Sequence, residues 1–199
     1  MKKGIIAIII LIVLGVIIGG WYIRTNNMLV DMKGQATKQW ANVESSYQRR
    51  SDLIGNLVKT VQGAADFERE TLTEVIEARA KAASTTIDAN NLTAAQLAEF
   101  QQAQTGLSSA LSRLLVTVER YPELKANQNF LELQSQLEGT ENRINVERNR
   151  FNDLAGEYNI KIKQIPTNII ASLANFDEMA LFASNPGAEN APDVNFDFE

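Results

Sequence analysis

The chain has no cysteine and no histidine, and these two absences remove most familiar enzyme chemistry at once. They exclude disulfides, cysteine nucleophiles, histidine-ligated zinc and haem, the Glu-x-x-His di-iron site and the Ser-His-Asp triad. Proline is scarce, four in 199 residues, and the first of them is Pro122. Basic residues are outnumbered, Lys+Arg 19 against Asp+Glu 24, for a net charge of −5. Without a basic tail to neutralise phosphates, nucleic acid is not an expected partner. No enzymatic activity, cofactor or metal is expected.

What is present begins with an apolar run. After Met1, Lys2 and Lys3, residues 4–23 carry no charge, and as a helix rising about 1.5 Å per residue the run nearly matches a bilayer core. Trp21 and Tyr22 lie at its far end, where amphipathic rings favour the interface, and Arg24 is the first charge beyond. A cleaved signal peptide is the rival reading, because Ile5 to Ile18 has the length of a signal h-region. No A-x-A-like site follows, so residues 1–24 are expected to be an uncleaved anchor. The flanking Lys and Arg do not decide its sense. The short basic N-terminus resembles a signal-anchor n-region, which favours a cytoplasmic N-terminus and a body outside the cytoplasm, periplasmic in a bacterial envelope. Gly15 and Gly19 give a GxxxG spacing that would let two such helices approach.

Downstream, the apolar period is that of helices throughout. Leu29, Met32, Ala36, Trp40, Val43, Tyr47, Ile54, Leu57, Val61, Ala65, Leu72, Val75 and Ala82 recur at mostly helical steps, which predicts one helix of about 60 residues from the membrane to Ala83. Ser84 to Thr93 reads as a turn, with Thr93 as an N-cap. A second stripe, from Leu97 to Tyr121 and interrupted only by Gln104, ends at Pro122. The third runs from Phe130 through Ile144, Phe151 and Tyr158 to Ile165, stops at Pro166, and leaves a short fourth helix over 168–183. The expected fold is all-α: an N-terminal transmembrane helix continuing into an elongated antiparallel up-down bundle over residues 25–184, three long helices plus a shorter fourth. Residues 185–199, acidic and without helical pattern, read as a flexible tail.

The lengths then raise a question. A second helix of about 28 residues returning along the first reaches only to about Leu57. Met32, Ala36, Trp40, Val43 and Tyr47 would then lack that partner, and an uncovered stripe of this size marks an interaction surface. Either the fourth helix folds back over it or neighbouring copies do. With Gly15 and Gly19, these five residues are the candidate oligomer contacts. Five charges also fall on apolar stripes: Arg50, Glu68 and Arg79 on the first, Glu141 and Arg148 on the third. Burial of an unpaired charge costs several kcal/mol, so they are expected to pair as a buried network. Solvated stripe edges and a carboxylate site are the alternatives.

Several runs resemble the bacterial LemA family: Gln48-Arg49-Arg50-Ser51-Asp52-Leu53-Ile54-Gly55-Asn56-Leu57-Val58, Glu68, Ala78-Arg79-Ala80, and Tyr121-Pro122-Glu123-Leu124-Lys125-Ala126-Asn127-Gln128-Asn129-Phe130 with Leu133. Thr140-Glu141-Asn142-Arg143-Ile144, Arg150-Phe151-Asn152, Tyr158-Asn159 and the closing Val194 to Phe196 continue the likeness over nearly the whole chain. Gly55 stands where the family usually has proline, and Phe151 where it has tyrosine. The resemblance implies a single membrane helix, an elongated antiparallel bundle and no established catalysis. Family members are often encoded near membrane proteases, and some descriptions place the short N-terminus outside the cell.

The function these features favour is a non-enzymatic membrane-anchored scaffold that self-associates into a homo-oligomeric envelope assembly. The alternative is an adaptor for a second membrane protein, such as a membrane protease, with the acidic tail as its contact. A carboxylate-metal or catalytic protein using Glu68 and Glu141 comes third.

Overall fold

The computed structural model describes residues 2–63, 68–85 and 87–183, and among these every regular element is helical. The elements are α1 (Lys2–Gln62), α2 (Arg69–Ser84), a 3₁₀ turn (Ala89–Asn91), α3 (Ala94–Val118), α4 (Pro122–Lys125), α5 (Gln128–Lys163) and α6 (Thr167–Leu173). Helix α1 carries the apolar run and continues without a break into the body. Its 61 residues make a rod of about 90 Å.

The helix ends follow local chemistry. Thr93 caps α3 in a reciprocal box with Gln96, each side chain bonding the other's backbone N–H. The Asn127 side chain accepts from the N–H groups of Asn129 and Phe130 to open α5. Pro122 occupies the first turn of α4, where its missing N–H costs nothing. Helix α6 ends on Asn175, which takes a left-handed φ of 55°. The Phe176 N–H bonds Ala171 O at 2.9 Å across it, so the last carbonyls are satisfied by a six-to-one closure.

Two expected boundaries are corrected. The first helix does not reach Ala83: it stops at Gln62, next to Gly63, and a separate α2 begins at Arg69. The apolar stripe stays in phase from Val61 to Leu72, so periodicity hid the end of α1. Ala65, counted in that stripe, lies outside the described residues. The fourth helix does not run to residue 183 either, for it closes at Leu173 and residues 176–183 are extended. Their backbone groups find side-chain partners on α5 in place of a helical ladder.

Contacts give the order of packing. On α5, Glu141 meets Arg50, Glu147 meets Gln39 and Phe151 meets Trp40, so the two helices pair in opposite chain order. Helix α2 pairs with α3 in the same reversed sense, through Glu74 with Arg113 and Glu68 with Arg120. By contrast Trp40 touches Phe100 and Arg50 touches Gln104, so α3 ascends beside α1. The second stripe therefore does not supply the return from the tip, because α2 begins it. Arg79 of α2 donates to Ser51 O at 2.8 Å, and its guanidinium lies over Gly55, where an added Cβ would sit 3.3 Å away.

The interior divides into two apolar clusters. The one nearer the apolar run is built on Leu29, Ala36, Trp40, Val43, Phe100, Phe151 and Tyr158, with Met179 and Phe182 from the extended segment. The distal one is built on Ile54, Leu57, Val61, Val75, Leu107, Leu114 and Leu137. Between them on α1 lie Arg50 and Ser51, both buried.

Candidate functional site

The candidate site starts at Trp40. Its ring is fully buried, stacks on Phe182 at 5.6 Å and 17°, and meets Phe151 and Phe100 edge-on at 5.3 and 5.7 Å. Tyr47 stands at 89° to Phe100, about two turns beyond Trp40 on α1. Three helices and the extended segment thus converge on one indole. Offset and edge-to-face aromatic pairs each add about 0.5–1.5 kcal/mol beyond burial.

This arrangement overturns the expectation of an uncovered stripe. Ala36, Trp40 and Val43 have no exposed surface and Tyr47 has 7 %; Met32 is partly buried against the same cluster. Helix α5 is long enough to line the lower rod, and the segment after α6 seals what remains. These five residues are covered within the chain and are not a free oligomer face. Gly15 and Gly19, by contrast, have nothing within 4 Å.

The extended segment is held by a device that pattern reading missed. The Asn159 amide donates to Met179 O and accepts from Met179 N–H, both at 2.8 Å. Asn152 does the same to Phe182, at 3.0 and 2.9 Å. Each amide satisfies a whole backbone unit, as a neighbouring strand would. The spacing matches: seven helical residues rise about 10.5 Å, and three extended residues span about 10 Å. Tyr158 donates to Asp177 O, and Arg148 donates to Ala183 O while its guanidinium covers the Phe182 ring at 4.5 Å. The available signal was the heptad repeat of Asn145, Asn152 and Asn159. Burial and the Asp177 charge push the Tyr158 phenol up to about 12, and burial raises Tyr47.

Beyond the aromatic junction lies the polar layer. Arg50, 4 % exposed, donates to Glu141 at 2.9 Å, to Ser108 at 3.2 Å and to Gln104. A cavity of about 400 Å³ opens beside it, lined by Tyr47, Gln101, Gln104, Thr105, Ser108, Glu141, Asn145 and Arg148. The expected five-membered network is not assembled. Arg50 and Glu141 meet; Glu68 pairs with Arg120 on the surface, Arg79 caps Ser51 O beside Asp52, and Arg148 turns to the extended segment. The buried carboxylate is instead Glu147, which accepts from the Gln39 amide at 2.7 Å. Among the described residues no three acidic side chains gather closely enough to hold a metal ion. The acidic tail, residues 185–199, lies outside the described residues.

The fold and site define a class: a helical protein whose long N-terminal helix is apolar enough to cross a membrane and whose body is closed by a clamped C-terminal segment. A sequence model of the LemA family matches residues 39–196, and the chain belongs to that family. It is 26 % identical over 180 residues to the magnetosome protein MamQ of Magnetospirillum gryphiswaldense and, equally, to MamQ 1 of Paramagnetospirillum magneticum. Each alignment covers 82 % of this chain and 66 % of the relative, so the chain spans just under two thirds of those proteins. Protein LemA of Metamycoplasma hominis is 23 % identical over 164 residues, covering 82 % of this chain and 71 % of that one.

Proposed function

We propose that this chain is a non-enzymatic membrane scaffold, an antiparallel bundle held upright on a single span. The observation that carries the reading is the continuity of α1 from Lys2 to Gln62. Its first part exposes large aliphatic side chains from Ile5 to Ile18, while the seam from Leu29 to Val61 is buried. One helix therefore belongs to two solvents, with no linker between them. Kinship with the LemA and MamQ proteins supports a membrane role. Lys2 and Lys3 support insertion with the N-terminus in the cytoplasm and the body outside.

Self-association belongs to the span in this reading, because the body's stripe is already covered. Gly15 and Gly19 present an open small-residue face that fits a second copy of the same helix. The test is the mass of the intact protein in mild detergent. A dimer or larger species is expected, converted to monomer by Gly15→Ile with Gly19→Ile. A wild-type monomer at every concentration would remove self-association and leave a monomeric anchored body.

A further inference from the structure

The base of the body carries an apolar face that the interior does not use. Ile165, in the turn after α5, is 85 % exposed; Ile169 and Leu173, one turn apart on α6, are 56 % and 70 % exposed. The spacing of four places Ile169 and Leu173 on one side of α6, with the exposed Ile165 in the turn that leads into it. On the other side Thr167, Ile170 and Ala171 are buried, so α6 carries apolar side chains on its exposed side as well as its buried one. Three exposed aliphatic side chains in a row are not what a water-facing turn of this length needs.

Position along the rod says what meets them. Descending α1 from Arg50 through Trp40 to Gln39, the α5 partners are Glu141, Phe151 and Glu147. The same spacing continued to Ile165 levels it with roughly residues 21–26 of α1, at one rise per residue on both helices. Those residues include Trp21 and Tyr22 and the end of the apolar run. Helix α6 also packs against α1, and Thr25, two residues past that run, is only 6 % exposed. The face thus lies at the height where the span leaves the hydrocarbon. Arg24 and Lys161 stand at the same level, and among the described residues neither forms an ion pair.

We infer that Ile165, Ile169 and Leu173 seat α6 in the interfacial zone of the bilayer that the N-terminal helix crosses, giving the body a second, non-spanning membrane contact. The occupant is lipid: headgroups for Arg24 and Lys161, and the upper acyl region for the three aliphatic side chains. With two points of contact the rod cannot tilt freely about its root. This inference rests on the membrane reading above, and the experiment separates the two.

Because the chain has no cysteine, single labels are simple to place. Ile165→Cys, Ile169→Cys, Leu173→Cys, Val13→Cys and Val116→Cys, each in the full chain, carry an environment-sensitive nitrobenzoxadiazole probe in phosphatidylcholine–phosphatidylglycerol vesicles. The Val116 side chain, 71 % exposed on α3 far from the span, is the aqueous control. Nitroxide-bearing lipids are expected to quench the three α6 labels severalfold more than the Val116 label, with blue-shifted emission and resistance to iodide. Iodide quenching equal to that at Val116 would overturn the seat. So would protection that requires crowded protein without nitroxide-lipid quenching, which would assign the face to a second copy. A quenched Val13 label beside unquenched α6 labels removes the seat alone, whereas an unquenched Val13 label removes the membrane reading with it.

Discussion

The two halves of the body solve the same packing problem with different materials. The distal half, around Ile54, Leu57 and Leu114, is mostly aliphatic, with Phe130 as its buried ring, and its buried residues all come from helices. The half nearer the span is rich in rings, and one of them, Phe182, arrives from an extended segment with no helical bonds of its own. Aliphatic seams form from local periodicity, so neighbouring helices find each other through many equivalent contacts. The aromatic half depends on a few specific ones: two asparagine clamps, a tyrosine hydroxyl and a stacked arginine. Its stability is therefore concentrated in fewer residues, and single substitutions should separate the halves.

The largest effect is expected at the indole. Trp40→Ala removes the ring on which three helices and the extended segment converge, and should cost about 3–5 kcal/mol, read as a lowered denaturation midpoint. A loss under 1 kcal/mol would mean the aromatic half adds little. Next comes Arg50→Ala, which strands Gln104 and Glu141. Because Glu141 is half exposed and can turn to water, about 1–3 kcal/mol is expected, checked in a double-mutant cycle with Glu141→Gln.

Asn152→Ala should cost about 1–2 kcal/mol through the two bonds lost and should free the segment before the bundle unfolds. Faster hydrogen exchange at Phe182, with Leu114 unchanged, is the signature; equal acceleration at both would erase the contrast between halves. The smallest effect is at Tyr158. A phenol raised to about 12 in the folded chain loses its proton more easily when unfolded, near pH 10. Its contribution is thus complete below about pH 10 and declines as pH rises towards 12. Tyr158→Phe should cost about 1 kcal/mol at neutral pH and flatten that alkaline decline in a pH-dependent melt.

The same contrast explains what the sequence made legible. Repeating apolar steps in α1, α3 and α5, the Thr93 cap, and the stops at Pro122 and Pro166 all report local physics, and the helical class follows from them. Gly63 was overlooked because the stripe resumed in phase beyond it. The extended segment was read as a helix because Phe176, Met179 and Phe182 also fit a helical step. Only the distant Asn152 and Asn159 amides make the extended form preferable, and one-dimensional patterns carry no such information. The charges were recognised as needing partners, and Arg50 found Glu141. Glu68 and Arg79 went elsewhere because they belong to a separate α2, and Arg148 because the segment after α6 lies against it.

The unbroken course of α1 also couples twist between its apolar run and the body. A helix turns 100° per residue, so inserting one alanine between Arg24 and Thr25 would lengthen the protein by only about 1.5 Å yet swing the whole bundle more than a quarter-turn about the axis. Two insertions would aim it nearly backwards, and the fourth would restore most of the original heading. Any partner that grips both the span and the body would register that cycle as a periodic loss and recovery of binding.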